Sequence, residues 1–371
     1  MELMELAVKL RPLEPLMIRG PGEFDPSSKG VYTYASSLIL PRPSTFIGML
    51  FSALTPEGQV PINCLSISNW KSLLEECYVK LLNALSIEAI RGPFIVRNNG
   101  LFIPITLGKK ILLIDYYQLE YYLLKGMDKY GNVLEQYFNH LFSESKTEKL
   151  HRFHAIMKLI EQSIMLLEKG RYVIKPLLID RTGIHLKSRE YIESGKIVKE
   201  GHMYTAKYIA YPLDIDIIFI MVLREGVDRI KALNGKTIKF GGEKRVAKLT
   251  VVDKIDKLDM PYKLLSTEKF EYVVLLSPAP LEYNEYSKIR TSFIGIYSTV
   301  GLGFSIAKTR RKPVIPCLCE GGILRVDKNI KDKHDLLRYG LYSLLNITED
   351  YYRNIGRLGF ASIIPLNISL E

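Results

Sequence analysis

Residues 299–313 read TVGLGFSIAKTRRKP, and residues 241–245 read GGEKR. In the longer stretch Gly301 and Gly303 follow Gly295 at short spacing, and Lys308, Arg310, Arg311 and Lys312 come directly after. Glycine has no Cβ, so such a run lets the backbone take positive φ and lets another chain approach its bare N–H groups. N–H dipoles followed by four cations make a surface for a polyanion, the amides cradling phosphates and the side chains neutralising them. Gly241, Gly242, Lys244 and Arg245 repeat the combination on a smaller scale. Two nucleotide-cofactor patterns are not met: a dinucleotide fingerprint needs a small residue where Ile306 stands, and no Gly-Lys-Ser/Thr ending closes the loop. A tight turn with a solvated basic rim stays open as the alternative.

The chain has 371 residues, which predicts two domains, and 47% of them are hydrophobic, ample for a large core. Lys and Arg number 51 against 40 Asp and Glu, a net charge of +11 that favours an acidic partner such as nucleic acid. An anionic membrane would fit the sign, but the longest apolar run, Ile217 to Leu223, is far short of the roughly twenty residues that span a bilayer. With glutamates in its opening MELMELAVKLRP, the chain reads as cytoplasmic, with no membrane. Cysteines 64, 77, 317 and 319 form no CxxC pair and read as plain buried thiols. His151 and His154, three apart on a helical pattern, read as a half-packed pair, and neither metal nor cofactor is expected.

Glu5 to Arg11 predicts a strand, followed by a glycine-punctuated loop, MIRGPGEFD, that carries Arg19. PRPSTFIGML then predicts a buried helix with Pro43 and Ser44 at its start, and that N-terminus, with Arg42, Ser44 and Thr45, is a ready anion site. A second helix over 68–85 and a hairpin around Asn98-Asn99-Gly100 follow, then a helical insertion at about 115–170, within which a Ser145/Glu148 capping box opens a helix. Leu177 to Leu186 and Tyr204 to Leu223 read as two strands joined by a charged arm, a protruding hairpin over about 180–207 that bears His185, Lys187 and Tyr204. Asp214 and Asp216 share one face of what reads as a half-exposed strand. A second unit is predicted from 225, ending with a helix over 333–346 and a strand over 359–366.

LRPLEPLMIRG with PRPSTFIGML, RTGIHL with EGHMY, GGEKR, and GLGFSIAKTRRKP followed by GGILRV, in this order, resemble the RAMP superfamily of CRISPR proteins. Within it they resemble the Cas-five-like subunits of type III-B (Cmr) RNA-guided effectors. Tyr297 departs from the superfamily's GxGx5GxG pattern, standing where a glycine is usual. The resemblance implies an α+β fold of two ferredoxin-like (RRM-like) domains, residues 1–224 and 225–371, with the helical insertion and a hairpin thumb. It implies a non-catalytic antiviral-defence subunit that grips the 5′ tag of crRNA through the basic and glycine residues named above together with Ser44, Thr45 and Tyr204. Its other partners would be the large polymerase-like subunit, a neighbouring RAMP backbone subunit and, indirectly, target RNA. A metal-independent endoribonuclease is the alternative, with His185, Tyr204, Lys244 and more distantly Asp25 as candidates.

Overall fold

The apolar run IDIIFIMVL forms strand β9 (Ile215–Leu223), buried along its whole length. Ile217, Phe219 and Met221 face one core cluster and Ile218 and Ile220 the other, so both faces of the strand are covered. The computed structural model describes residues 3–20, 34–35, 37–54, 72–98, 100–108, 110–124, 148–186, 198–253, 270–301, 304–305, 310–311, 314–326, 333–345, 347 and 349–366. It is a mixed helix and sheet structure.

β9 lies inside an eight-stranded sheet whose order is β10 (Thr237–Lys239), β11 (Val246–Val252), β1 (Met4–Pro12), β9, β3 (Ile87–Arg97), β4 (Gly100–Leu107), β5 (Lys110–Asp115) and β6 (Val173–Ile174). Every neighbouring pair is antiparallel. One face carries helix α1 (Pro43–Leu54), whose Phe46 ring stacks on Phe219 at 4.1 Å between centroids, and the helical stretch 72–84. The other face is covered by Tyr116, Leu119 and Leu123 and by Ile160, Ile164 and Leu167 of helix Glu148–Lys169.

A second sheet runs β14 (Phe293–Ile294), β19 (Ile323–Arg325), β12 (Tyr272–Leu275), β20 (Ile363–Leu366), again antiparallel throughout. Helices Lys333–Tyr339, Leu341–Leu344 and Asp350–Arg357 lie between β19 and β20. Three smaller sheets complete the structure: β13 (Ala279–Pro280), β18 (Val314–Leu318) and β15 (Tyr297–Gly301); β16 (Phe304–Ser305) with β17 (Arg310–Arg311); and β2 (Tyr34–Ala35), β8 (Val198–Ala210) and β7 (Leu177–Leu186). Among the described residues, no helix is long and apolar enough to cross a membrane.

Several expectations are corrected. The stretch 204–223 is parts of two strands in different sheets, β8 and β9, separated at Pro212, which has no N–H to donate to a ladder. Asp216 is buried and ion-paired with Arg11 at 2.8 Å and Lys9 at 3.2 Å, so the strand is not half-exposed. β10 and β11 belong to the first sheet although they follow the boundary at 224/225, because β11 bonds β1 from Ala7↔Val252 to Pro12↔Ala247. The helix predicted over 333–346 breaks at Gly340, at φ +57°, where an added Cβ would meet the Ala361 carbonyl. Cys77 is disulfide-bonded rather than a plain thiol.

Polar bonds tie the first large sheet and the helix after β5 to the turn, helices and last strand of the C-terminal part. Thr106 N–H donates to Gly321 O (2.9 Å), Tyr116 OH to Pro365 O (2.9 Å), Arg91 Nη1 to Gly356 O (2.8 Å) and Arg357 Nε to Glu88 O (2.8 Å). The Glu88 side chain is 0% exposed and faces Arg224, Arg338 and Arg357, with Arg338 Nε 2.6 Å from Oε1. Burial pushes this carboxyl up, but the Arg338 hydrogen bond and the three positive charges together hold it below its ordinary value.

Candidate nucleic-acid interface

The GGEKR run is a tight turn between β10 and β11. Glu243 and Lys244 both take positive φ, +55° and +59°, the pattern of a type I′ turn, and Arg245 N–H donates back to Gly242 O at 3.3 Å. Gly241, at φ +91°, is glycine of necessity, since a Cβ there would lie 2.8 Å from the Met17 carbonyl. Gly242 N–H donates to that carbonyl at 2.7 Å, which fixes the turn on the segment leading to Arg19.

Arg245 is committed to holding this turn in place. Its guanidinium pairs with Glu14 and sits 4.6 Å from the Tyr208 ring centroid, while the Tyr208 hydroxyl donates to Glu243. Arg181 lies 5.2 Å from the same ring. Burial and the Glu243 carboxylate push the Tyr208 phenol up. Burial alone would lower Arg245, but its bonds to Tyr208 and Glu14 hold it above its ordinary value. Lys244 is therefore the exposed cation at the tip of the turn.

The same region is laced by backbone bonds from three other segments. Leu16 and Ile209 exchange N–H···O bonds at 2.8 Å, Leu38 N–H donates to Ile18 O at 2.7 Å, and Arg19 bridges Ser37. The Arg19 segment, residues 37–39, the GGEKR turn and the end of β8 thus form one surface at the base of the β7–β8 pair. From Leu177↔Ala210 the pair extends to Leu186↔Val198, with Tyr204 opposite Gly183 and His185 at a register shift. Only the main chain of His185 and Tyr204 is described, and Lys187 lies outside the described residues, as does Asp25.

Arg42 is buried. Its carbonyl accepts from Thr45 N–H (2.9 Å) and Phe46 N–H (3.3 Å), which makes Arg42 the residue that starts α1 and puts Ser44 inside the first turn. Ser44 and Thr45 are half-buried. Burial lowers the Arg42 guanidinium, partly offset by the buried Glu320 carboxylate, itself raised by burial. Arg42 thus contributes its charge to the interior beside Glu320.

The predicted irregular glycine loop is largely a hairpin. β15 pairs with β18 from Tyr297↔Leu318 to Gly301↔Val314, and in the same register Phe304 pairs with Arg311 and Ser305 with Arg310 as a separate two-stranded sheet. Aromatic and β-branched residues at 297, 299, 300 and 304 favour this extended form over bare loop, and Val300 and Ile315 anchor it in the core. Gly295 packs against Gly322, where a Cβ would lie 2.7 Å from the Gly322 Cα. The side chains of Arg310 and Arg311, and all of Gly303, Lys308 and Lys312, lie outside what is described. Among the described residues no group of three or more His, Cys, Asp or Glu could hold a metal ion. Tyr208 and Arg181 belong to this surface and were not foreseen, since only the meeting of β8 with a turn thirty-odd positions on gives them their role.

No protein-family model matches the chain. The CRISPR system CMR subunit Cmr3 of Saccharolobus solfataricus is 29% identical over 366 residues, 94% of this chain and 98% of the relative. A chain of the type III-B Cmr-beta complex bound to cognate target RNA and AMPPnP superposes with a TM-score of 0.60 at 24% identity, covering 95% of this chain and 94% of that one. A chain of the Cmr-beta complex bound to cognate target RNA gives 0.59 at 26% identity, with 97% and 96% covered.

Proposed function

Because the chain is a RAMP-like CRISPR protein homologous to Cmr3, we propose that it is a non-catalytic RNA-binding subunit of a type III-B effector, gripping the 5′ tag of crRNA and docking the large polymerase-like subunit. The observation that carries this reading is the joining of the Arg19 segment, the GGEKR turn and the β7–β8 base into one surface tipped by Lys244. Exposed cations on phosphates, with aromatic and arginine faces on unstacked bases, are what single-stranded RNA requires. β7 and β8 would form the thumb, with their tip at the boundary between tag and guide. A neighbouring RAMP subunit is the further partner, and target RNA is met through the crRNA. The compartment that suits this role is the cytoplasm.

Two ferredoxin-like domains fit the topology. Strands β1, β3, β9 and β11, numbered first to fourth along the chain, stand in the order fourth, first, third, second. β12, β14, β19 and β20 repeat that order, and we place the domain boundary between 253 and 270.

Binding of single-stranded repeat-tag RNA across a salt series tests the reading. Changing Arg310, Arg311 and Lys312 to alanine should weaken binding and flatten the slope of log K against log salt by roughly 0.7 for each phosphate no longer neutralised. An unchanged slope and affinity would overturn it. The RNA should also remain intact, and cleavage that disappears in His185→Ala would make the protein an endoribonuclease instead.

A further inference from the structure

Helix Tyr283–Ile289 and the first residue of β15 bring three tyrosines together. The Tyr286 and Tyr297 rings stack at 4.0 Å between centroids with planes 3° apart, and the Tyr297 hydroxyl donates to Leu281 O at 3.1 Å, which pins the stack. Tyr283 leans on both, 6.1 Å from Tyr286 and 6.4 Å from Tyr297, its plane tilted by 51° and 54°. Yet Tyr283 itself is 62% exposed. A core would have covered this ring, whereas here it stays exposed beside the stack.

We infer that Tyr283, braced by the Tyr286–Tyr297 stack, is a platform on which a base of single-stranded RNA stacks. The inference rests on the RNA-binding role above and adds a base contact that the basic residues do not provide. Position favours RNA as the occupant. Tyr297 opens β15, and Arg310 and Arg311 pair with Ser305 and Phe304 a few residues further along the same stretch of chain, so an RNA strand following that stretch from its basic end would pass the platform. The charges on and beside the helix are balanced: Lys288 pairs with Glu285 at 2.6 Å, and Glu282 and Arg290 flank its two ends. The contact is therefore one of π faces, tolerant of base identity and nearly independent of salt. A phenol ring with few rotatable bonds, already braced, loses little entropy on binding.

The test uses the full chain and single-stranded RNA carrying 2-aminopurine at successive tag positions. Tyr283→Ala should raise Kd about 5- to 150-fold with an unchanged salt slope and should abolish the stacking quench at one position, whereas Tyr283→Trp retains both. Wild-type binding with Tyr283→Ala indistinguishable from it would overturn the platform and leave the RNA-binding role standing. Failure of the wild-type chain to bind any RNA would overturn both. When the effector is assembled from its subunits as a second measurement, loss of a protein subunit in Tyr283→Ala, with RNA affinity intact, would make the ring a docking residue and overturn the inference.

Discussion

Replacing Glu88 by glutamine keeps the side-chain volume and removes one negative charge from the junction between β3 and the helices near the C-terminus. The three arginines around it are not equivalent. Arg224 is 49% exposed, and such a pair contributes about 0–1 kcal/mol. Arg338 is 34% exposed but bonds Oε1 directly, and Arg357 is 11% exposed with Nη2 3.8 Å from Oε2. Breaking a buried pair costs about 3–5 kcal/mol, and glutamine keeps one acceptor oxygen, so the expected loss is about 3 kcal/mol. In a chain of 371 residues this lowers Tm by about 5 °C. Because the folded carboxyl is held low, its contribution is fully present above the ordinary glutamate value of about 4.3 and fades as pH falls through the folded-state value. Urea unfolding of wild type and Glu88→Gln at pH 7, 5, 4 and 3 should show a gap that closes in acid. A gap under about 1 kcal/mol at pH 7 would refute the reasoning, as would one that stays constant to pH 3.

Lys244→Gly should raise Tm, because a left-handed φ costs a non-glycine residue about 1 kcal/mol, and should weaken RNA binding by removing the cation at the turn's tip; thermal melts and titrations read the two separately. Tyr116→Phe should cost about 1 kcal/mol in denaturant unfolding, since it removes the bond to Pro365 O that ties helix 116–124 to β20. Gly340→Ala forces a positive φ on alanine and a clash with the Ala361 carbonyl, so it should destabilise by more than about 1 kcal/mol, measured the same way.

The elements with strong local signals were legible. Pro43 followed by TFIGMLFSAL gives α1, and Asn98-Asn99-Gly100 between apolar runs gives the β3–β4 turn. Long-range order was not legible, since nothing in VAKLTVV says that it pairs with β1 rather than opening a second domain. Glu88 and Arg91 within the apolar IEAIRGPFIVR were a signal of buried charge, but their partners come from helices near the C-terminus. At the candidate interface the GGEKR turn was read from its glycines, whereas the roles of Arg245 and Arg42 differ from expectation. A guanidinium near a glycine reads the same in sequence whether it meets phosphate, Glu14 or Glu320.

Ultraviolet crosslinking of the assembled effector carrying crRNA, with peptides mapped by mass spectrometry, tests the central claim most directly. Adducts from the 5′ tag at Lys244, along β7–β8 and on the 295–313 segment are predicted. Tag adducts confined to other subunits, with none on these segments, would contradict it.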